Sequence, residues 1–305
     1  MVPKIMKQGT LTPWLYLAAA MLIIFVFIVY PTINTMILSL RDKTGTHSAA
    51  VDCMPGESCW GTFENYRYAF TNQDMLQALR NNALWILLTV PGTVGAGLMF
   101  AVLTDRVRYE KLAKTIVFLP MAISFVGASI IWRFVYYLEA GGGPQIGVLN
   151  AIITTLGGQP VAWLTNKSWI VNNISLWVVW IWLWAGFCMT ILSAALRGVP
   201  TELLEAARVD GATEWQVFWR IMFPIILPTI TVVATTMTIN VLKVFDIVFV
   251  MTNGLNGTEV IANRMFKFIV TNQGRSMAIA VLLITLTIPI MIINVRRFRE
   301  QEMIR

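Results

Sequence analysis

Long apolar stretches alternate with short polar ones along almost the whole chain. Six of the apolar stretches have the length, about 20 residues, that a helix needs to cross the hydrocarbon core of a bilayer. They fall roughly at residues 13–40, 79–104, 114–138, 169–193, 222–251 and 277–295. Prolines inside the spans predict kinks, because neighbouring helices can satisfy the freed carbonyls; they are Pro31, Pro91, Pro120, Pro228 and Pro289. The pattern predicts an all-α membrane protein with six transmembrane helices in one domain, residues 1–305.

Composition supports the membrane class. Hydrophobic residues make up 57% of the chain and charged residues 13%, which is too little charge to cover a soluble surface. The net charge of +7 does not indicate nucleic-acid binding, because the basic residues lie in the polar segments between spans, where a topology signal would place them. One histidine and three scattered cysteines provide neither a catalytic triad nor a zinc site. We therefore expect no metal site and no catalytic residues.

The distribution of Lys and Arg predicts the orientation of the chain. The segments before the first span, after the second, after the fourth and after the sixth carry more of them than the intervening segments. By the positive-inside rule, both termini then lie in the cytoplasm of a cell whose inner membrane holds the protein. The segment 41–78 lies outside and is long enough to pack as a small cap. In an oxidising periplasm its Cys53 and Cys59 can form a disulfide; otherwise they remain two free thiols.

The polar segment between the fourth and fifth spans, residues 197–224, has the pattern of two short helices. After Pro200 come Thr201, whose hydroxyl can cap a helix, and acidic residues in the first turn. Gly211 predicts the end of the first helix, and a second amphipathic stretch follows at 214–221. A disordered connector would not need this pattern.

The spacing in this segment resembles the EAA loop of permease subunits of ATP-binding-cassette importers. Glu205-Ala206-Ala207 is followed after three residues by Gly211, and after nine more by Ile221, with Phe223 before Pro224 where the family usually has leucine. The resemblance implies a type I ABC importer permease fold with a cytoplasmic coupling helix that docks on an ATPase subunit. The residues that it assigns to coupling are Glu205, Ala206, Ala207, Asp210, Gly211, Ile221 and Pro224. The alternative is an amphipathic helix that rests on lipid headgroups.

Segments 120–132, 191–200 and 242–254 extend the resemblance over nearly the whole chain, to the larger permease of maltose/α-glucoside-type importers. That family implies a second permease subunit, two ATP-binding-cassette ATPase subunits, a periplasmic solute-binding protein and a sugar substrate. The chain has no Gly-x-x-x-x-Gly-Lys-Ser/Thr loop. ATP and Mg therefore belong to the partner ATPase subunits, and we expect this chain to be no enzyme and to bind no cofactor.

Ionisable residues within spans are candidates for substrate contact. Lys243 and Asp246, three residues apart, would share one face of a helical fifth span with Asn240, either as an ion pair or as a polar wall for sugar hydroxyls. The resemblance to maltose permeases places further residues at positions that line the sugar site; the full predicted set is Trp184, Phe187, Asn240, Val241, Lys243, Val244 and Asp246. We expect the long side chain of Arg133, in the third span, to reach the membrane interface and not to contact substrate.

The substrate and the energy source have alternatives at this stage. The resemblance favours an α-glucoside or similar disaccharide, whereas Lys243 would also suit a phosphorylated or sulfonated glycoside. An ion-driven secondary transporter would be unusually small with six spans, and no inverted repeat is evident. A membrane-embedded enzyme is disfavoured because no paired carboxylates or histidine cluster lie at a membrane face.

Overall fold

A computed structural model describes residues 12–40, 63–105, 107–141 and 143–303, and this part of the chain is helical without strands. Its α-helices follow one another as α1 (Thr12–Ile24), α2 (Tyr30–Leu38), α3 (Glu64–Thr71), α4 (Gln73–Thr104), α5 (Glu110–Phe118), α6 (Phe125–Val135), α7 (Val148–Thr155), α8 (Trp169–Arg197), α9 (Thr201–Val209), α10 (Glu214–Val217), α11 (Phe223–Leu242), α12 (Asp246–Met251), α13 (Ile261–Thr271) and α14 (Gln273–Met303). Cys53 and Cys59, together with residues 41–62 of the predicted outer segment, lie outside the described residues. The remainder of that segment contains α3 and the first turn of α4.

Five helical stretches of the described chain are long and apolar enough to cross a membrane. They coincide with all the predicted spans except the third, and they run Ala20–Leu38, Gln73–Thr104, Trp169–Arg197, Glu214–Leu242 and Gln273–Ile293. Single π-helical turns continue α1 into α2 and α10 into α11. Pro91, Pro228 and Pro289 lie inside helices that continue past them, because the apolar stretches around them keep forming backbone hydrogen bonds.

The third span is not the single helix predicted at 114–138. Helix α5 with its 3₁₀ turn and helix α6 form a pair bent by 101°, which completes the count of six spans when the pair is taken as one. Pro120 lies in the 3₁₀ turn. The backbone of Ser124 is extended, and its side-chain hydroxyl accepts a hydrogen bond from the Gly127 amide at 3.1 Å. The N-cap at Ser124 starts a new helix in a new direction.

The fifth span, predicted as one helix over 222–251, is interrupted. Helix α11 ends at Leu242, Phe245 leaves the helical conformation with φ −138°, and Asp246 begins the short helix α12. Lys243 and Asp246 therefore belong to different segments and do not share a helix face, contrary to the sequence prediction. The interruption falls in an apolar stretch without proline or glycine, so the residue pattern carried no signal for it.

The described residues divide into two compact units. The first comprises the chain up to Phe70 and Met265–Leu282, and within it the Ser39 and Tyr66 hydroxyls lie 2.6 Å apart. The second comprises Thr71–Arg264 and the chain from Leu283 onward. Its centre is the packing of α4 on α8, where Gly97 lies so close that a Cβ atom would be 2.4 Å from the Cys188 Cβ. Small residues allow such close helix contacts in membranes.

Buried asparagines fix the loop that follows α12 in the second unit. Asn81 donates hydrogen bonds from Nδ2 to the carbonyls of Gly257 and Glu259, both at 2.8 Å. Asn172 and Asn173 donate to the carbonyls of Asn256 and Gly257, at 2.9 and 3.1 Å. Four loop residues have positive φ: Asn253, Gly254, Asn256 and Gly257. The loop is thus a compact structure pinned to the N-terminal ends of α4 and α8.

Candidate functional site

The two interrupted spans meet at one cleft in the second unit. The cleft has a volume of about 120 Å³. It lies where α6 begins, where α11 gives way to α12, and against the middle of α8, and its lining residues are Phe125, Trp180, Trp184, Asn240, Lys243, Val244, Phe245, Asp246 and Ile247. Interrupted helices are the usual framework of substrate sites in membrane transporters, because they place free backbone ends and polar side chains within the membrane.

Most of the residues predicted to contact substrate are brought together here. Trp184, Asn240, Lys243, Val244 and Asp246 all line the cleft. Phe187 and Val241 do not line it. Phe187 packs edge-on against Trp184, with ring centroids 5.7 Å apart, and Val241 is fully buried in the hydrophobic core. The substrate contacts themselves remain predictions.

Lys243 and Asp246 face the cleft without pairing with each other. Neither side chain forms an ion pair or hydrogen bond with another residue in the described part of the chain. The structure thus contains no ion pair between these two residues, which was one of the two alternatives that the sequence left open. Asn240, in contrast, donates from Nδ2 to the Thr236 carbonyl at 3.0 Å, which leaves its side-chain carbonyl as an acceptor. One cation, one anion and one amide thus border a single small cavity.

A row of aromatic rings forms the opposite wall of the cleft. Phe125 stacks on Trp180 with an interplanar angle of 9° and centroids 6.2 Å apart, and Trp180 lies 5.7 Å from Trp184. Sequence reasoning missed Phe125, Trp180, Phe245 and Ile247 as lining residues. For Trp180 a signal existed, because it precedes Trp184 by one helical turn. For Phe125 there was none, because its position depends on the bend after Pro120.

Arg133 lies away from the cleft, near the end of α6. Its Nη1 donates to the carbonyl of Val250 in the last turn of α12, at 3.3 Å, and its side chain is exposed. A cation is favourable at the C-terminal end of a helix, where unpaired carbonyls accumulate. Arg133 therefore ties the two short helices that border the cleft, a role that sequence reasoning did not anticipate.

The segment between α8 and α11 contains the two predicted short helices, α9 and α10. Gly211 follows α9 with φ +82°, a conformation that glycine adopts easily. The amide of Gly211 donates to the Arg208 carbonyl at 3.0 Å, and that of Ala212 to the Ala207 carbonyl at 2.9 Å. This pair of bonds is a Schellman motif, which closes the helix and sets the direction of the chain after it.

Side chains hold the turn on both sides of Gly211. Arg208 Nε donates to Glu214 Oε1 at 2.7 Å, and this hydrogen bond and the charge of Glu214 raise the pKa of Arg208 above its ordinary value. Thr213 and Gln216 form a capping box at the start of α10. Thr201, predicted as a cap, is instead the first residue of α9; Pro200 occupies the N-cap position without a side-chain hydrogen bond.

Helix α9 stands on the surface of the second unit without a buried residue. Glu205, Ala206, Asp210 and Gly211 are exposed and Ala207 is half-buried. Further along, Ile221 is half-buried and Pro224 is exposed, at the beginning of α11. The predicted coupling residues thus occupy a protruding helix, its turn and the start of the next span.

A polar junction connects the ends of three helices beside this segment. Lys114 of α5 donates to Asp105, which caps the end of α4, at 2.5 Å, and to Glu110 at 2.8 Å. Arg197, the last residue of α8, donates to Asp105 at 3.2 Å and also contacts Glu110. Ser193 of α8 donates to Asp105 at 3.0 Å. We call these five residues the polar junction; sequence reasoning had used several of them only as topology signals.

Comparison with known proteins identifies the framework that carries the cleft and the protruding helix. A family described as "Binding-protein-dependent transport system inner membrane component" matches residues 92–298, which is more than half of the chain. The chain belongs to this family. It is a multi-pass membrane permease subunit of an ATP-binding-cassette importer and not an enzyme; ATP hydrolysis takes place on a separate subunit.

Two curated relatives cover nearly all of the permease. It is 51% identical to the osmoprotective compounds uptake permease protein GgtC of Synechocystis sp. over 95% of this chain and 100% of the relative. It is 46% identical to the alpha-glucoside transport system permease protein AglF of Rhizobium meliloti, over 96% of this chain and 84% of the relative. A chain in the crystal structure of a bacterial ABC transporter involved in the import of alginate superposes with a TM-score of 0.75 at 22% identity, covering 94% of this chain and 95% of that chain. The predicted type I importer permease fold is confirmed.

Proposed function

We propose that this permease forms one wall of the translocation path for a small neutral glycoside, an α-glucoside or a related compound. The observation that carries the proposal is the meeting of two interrupted spans at one aromatic-lined cleft with polar side chains. Aromatic faces stack on the apolar faces of sugar rings, and a few polar groups fix orientation in a concave site. The names of the two relatives, an alpha-glucoside permease and an osmoprotective compounds permease, favour the same class.

The size of the cleft supports a site shared with a second permease subunit. Small-molecule sites usually enclose about 300–1,000 Å³, whereas the cleft of this chain has about 120 Å³. A sugar bound here would need another wall, and the most natural source is the homologous surface of a partner permease. We further infer two ATPase subunits in the cytoplasm, which bind ATP and Mg, and a periplasmic solute-binding protein that delivers the sugar.

Coupling to the ATPase is assigned to α9. The nine-residue helix has no fully buried residue and packs on the core of its own unit only through the half-buried Leu204. Its Schellman turn and the Arg208–Glu214 pair hold it at a defined angle. A rigid helix held in this way can transmit a rigid-body movement to α8 and α11. We infer from this role, together with the distribution of Lys and Arg, that α9 and both chain termini lie on the cytoplasmic side.

The proposal is tested by uptake of a radiolabelled α-disaccharide into proteoliposomes that contain the whole importer. Trp184→Ala and Asp246→Ala should reduce uptake strongly while the subunits still copurify, because they remove a stacking face and a carboxylate that can accept hydrogen bonds from sugar hydroxyls. Trp14→Ala is the matched control, since Trp14 is exposed and lies in α1. Unchanged uptake kinetics in both cleft variants would reject this site.

An anionic glycoside is the second candidate, because Lys243 faces the cleft without an anionic partner among the described residues. Asp246 borders the same cavity and opposes a purely anionic ligand. Competition of uptake by a neutral α-disaccharide and by a sulfonated glycoside, in the wild type and in Lys243→Gln, separates the two. Loss of neutral-sugar uptake in Lys243→Gln with no competition by the anion supports the first candidate; dominant competition by the anion supports the second.

A simpler measurement tests whether an ion gradient drives transport. Proteoliposomes with the purified permease alone should not accumulate sugar under any ion gradient, whereas the assembled importer with ATP should. Transport by the isolated chain would overturn the assignment of α9 as the coupling helix.

A further inference from the structure

Helix α7 carries an apolar stripe that the described residues of its own unit leave exposed. Ile146, Val148, Ile152 and Leu156 are exposed by 73%, 53%, 52% and 81%. Val148, Ile152 and Leu156 follow one another at intervals of four residues, so they lie on one face of the helix. A stripe of large aliphatic side chains in water would be costly, at about 25 cal/mol per Å² of apolar surface.

The opposite side of α7 is fixed rigidly. Asn150 is fully buried, and its Nδ2 donates to the carbonyls of Tyr137 and Val161, both at 3.0 Å. Its Oδ1 accepts from the Val161 amide at 2.9 Å and from Trp163 Nε1 at 3.1 Å. All four hydrogen-bonding positions of this amide are used, so α7 cannot roll to hide its stripe.

The location of α7 places this stripe at a membrane surface. Tyr137 follows the end of α6, and the neighbouring Tyr136 donates its hydroxyl to the Ser175 carbonyl in the second turn of α8, at 3.0 Å. The polar junction lies at the other end of α8, with α9 beyond it, and the 29 residues of α8 span about 43 Å. That distance is close to the full thickness of a bilayer with its headgroups, so α7 lies at the face opposite α9.

The composition of the segment distinguishes a lipid surface from a protein partner. Residues 140–166 contain no Asp, Glu, Lys or Arg. Phe134, in the last turn of α6, is 70% exposed and continues an apolar surface from the span towards the segment. Tyr137, just after the end of α6, is 43% exposed, as is usual for a tyrosine of the aromatic belts of membrane proteins. Protein interfaces, in contrast, surround their apolar centre with a polar rim.

We propose that α7 is an interfacial helix whose Val148, Ile152 and Leu156 side chains insert into the lipid leaflet opposite α9. Such helices bury their apolar face about 5–10 Å into the boundary between headgroups and acyl chains. Because the stripe is uncharged, its insertion depends on apolar area and not on anionic lipid. The position of α7 also affects the cleft. Asn150 ties α7 to the C-terminal end of α6, and Phe125, the first residue of α6, lines the cleft.

The test uses the whole importer in phosphatidylcholine nanodiscs, with a nitroxide on a genetically encoded keto amino acid at position 152 or, as control, at position 159. Gln159 is exposed in the loop after α7 and is polar. At position 152 the label should collide more often with O₂ than with a water-soluble nickel chelate, at a depth of about 5–10 Å; at position 159 the order should be reversed. Added phosphatidylglycerol should change neither result.

Three outcomes would overturn the proposal. A label at position 152 that meets the nickel chelate as readily as the label at position 159 would mean that the stripe faces water. Immobilisation of the label only after addition of the solute-binding protein would make the stripe a protein docking surface. A label that is inaccessible to both reagents in the importer alone would mean that another subunit covers α7.

Discussion

At the scale of single residues, the geometry of the segment between α8 and α11 depends most directly on Gly211. Its φ of +82° allows the two amide–carbonyl bonds that close α9, and a Cβ at this position would meet no atom within 4 Å. A substitution there changes only the backbone preference and leaves the packing undisturbed. Gly211 therefore offers a clean test of whether the angle between α9 and α10 matters for transport.

We predict that Gly211→Ala impairs coupling more than Gly211→Asn. Alanine in the left-handed region costs about 1–2 kcal/mol, while asparagine tolerates that region better. The sugar transported per ATP hydrolysed by the assembled importer should fall for the alanine variant and stay closer to wild type for the asparagine variant. Equal transport and equal ATPase stimulation in Gly211→Ala and wild type would contradict a role for this turn.

Much of the cleft was predictable at residue scale, because chemistry marks polar residues within apolar spans. Asn240, Lys243 and Asp246 stand out for this reason, and family resemblance added Trp184 and Val244. The placement of Lys243 and Asp246 on one helix face assumed a continuous helix, whereas α11 ends at Leu242 and α12 begins at Asp246. Val241 is buried because the helix turns it into the hydrophobic core, a packing detail that no property of valine reveals.

At the scale of helices, the close contact of α4 with α8 gives a sharp prediction about two neighbouring glycines. A methyl group at Gly97 would lie 2.4 Å from the Cys188 Cβ and 2.9 Å from the Met189 amide nitrogen, whereas one at Gly95 would meet no atom within 4 Å. Gly97→Ala should therefore destabilise the permease by about 1–3 kcal/mol through overpacking.

Gly95→Ala is the matched control on the same helix. It should be neutral or stabilising by up to about 1 kcal/mol, because alanine loses less backbone entropy in a helix than glycine. The thermal denaturation midpoint of the purified importer measures both effects. If the two variants melt at the same temperature, α4 and α8 are not packed as closely as described.

Hydropathy predicted where the spans lie but not whether each is continuous. Four of the five prolines within the predicted spans lie in helices that continue past them. The bend in the third span depends instead on Ser124, which starts a new helix. The interruption at Phe245 has neither proline nor glycine. In both cases, tertiary packing against α8 decides the course of the backbone, and a one-dimensional pattern of apolar residues does not contain that information.

At the scale of the whole molecule, the polar junction joins the ends of α4, α5 and α8 just before the chain enters the segment that contains α9. The side chains of Lys114 and Asp105 are only 21% and 23% exposed, so their interaction is partly shielded from water. Lys114→Met leaves the carboxylates of Asp105 and Glu110 with Arg197 as their remaining cation in the junction. We expect a loss of about 1.5–3 kcal/mol, as for hydrogen bonds to charged groups.

The loss of stability in Lys114→Met should be confined to the helix ends that meet at the polar junction. Amide hydrogen exchange in α5 should accelerate in Lys114→Met, and sugar uptake should fall more than ATP hydrolysis. Lys111→Met, one turn earlier on the same helix, removes an exposed lysine whose side chain has no partner in the described part of the chain. Similar exchange rates in the two variants would show that the junction does not hold these helix ends together.

Helix α8 runs uninterrupted between two broken neighbours, and this difference gives it a distinct mechanical character. Trp184 and Arg197 lie thirteen residues apart on it, about 20 Å along the axis. A continuous helix transmits a displacement along its axis, whereas an interrupted span bends at its break. If α9 docks on an ATPase subunit as proposed, a displacement of α9 would reach Trp184 through α8, while the interrupted spans would bend beside Phe125 and Asp246.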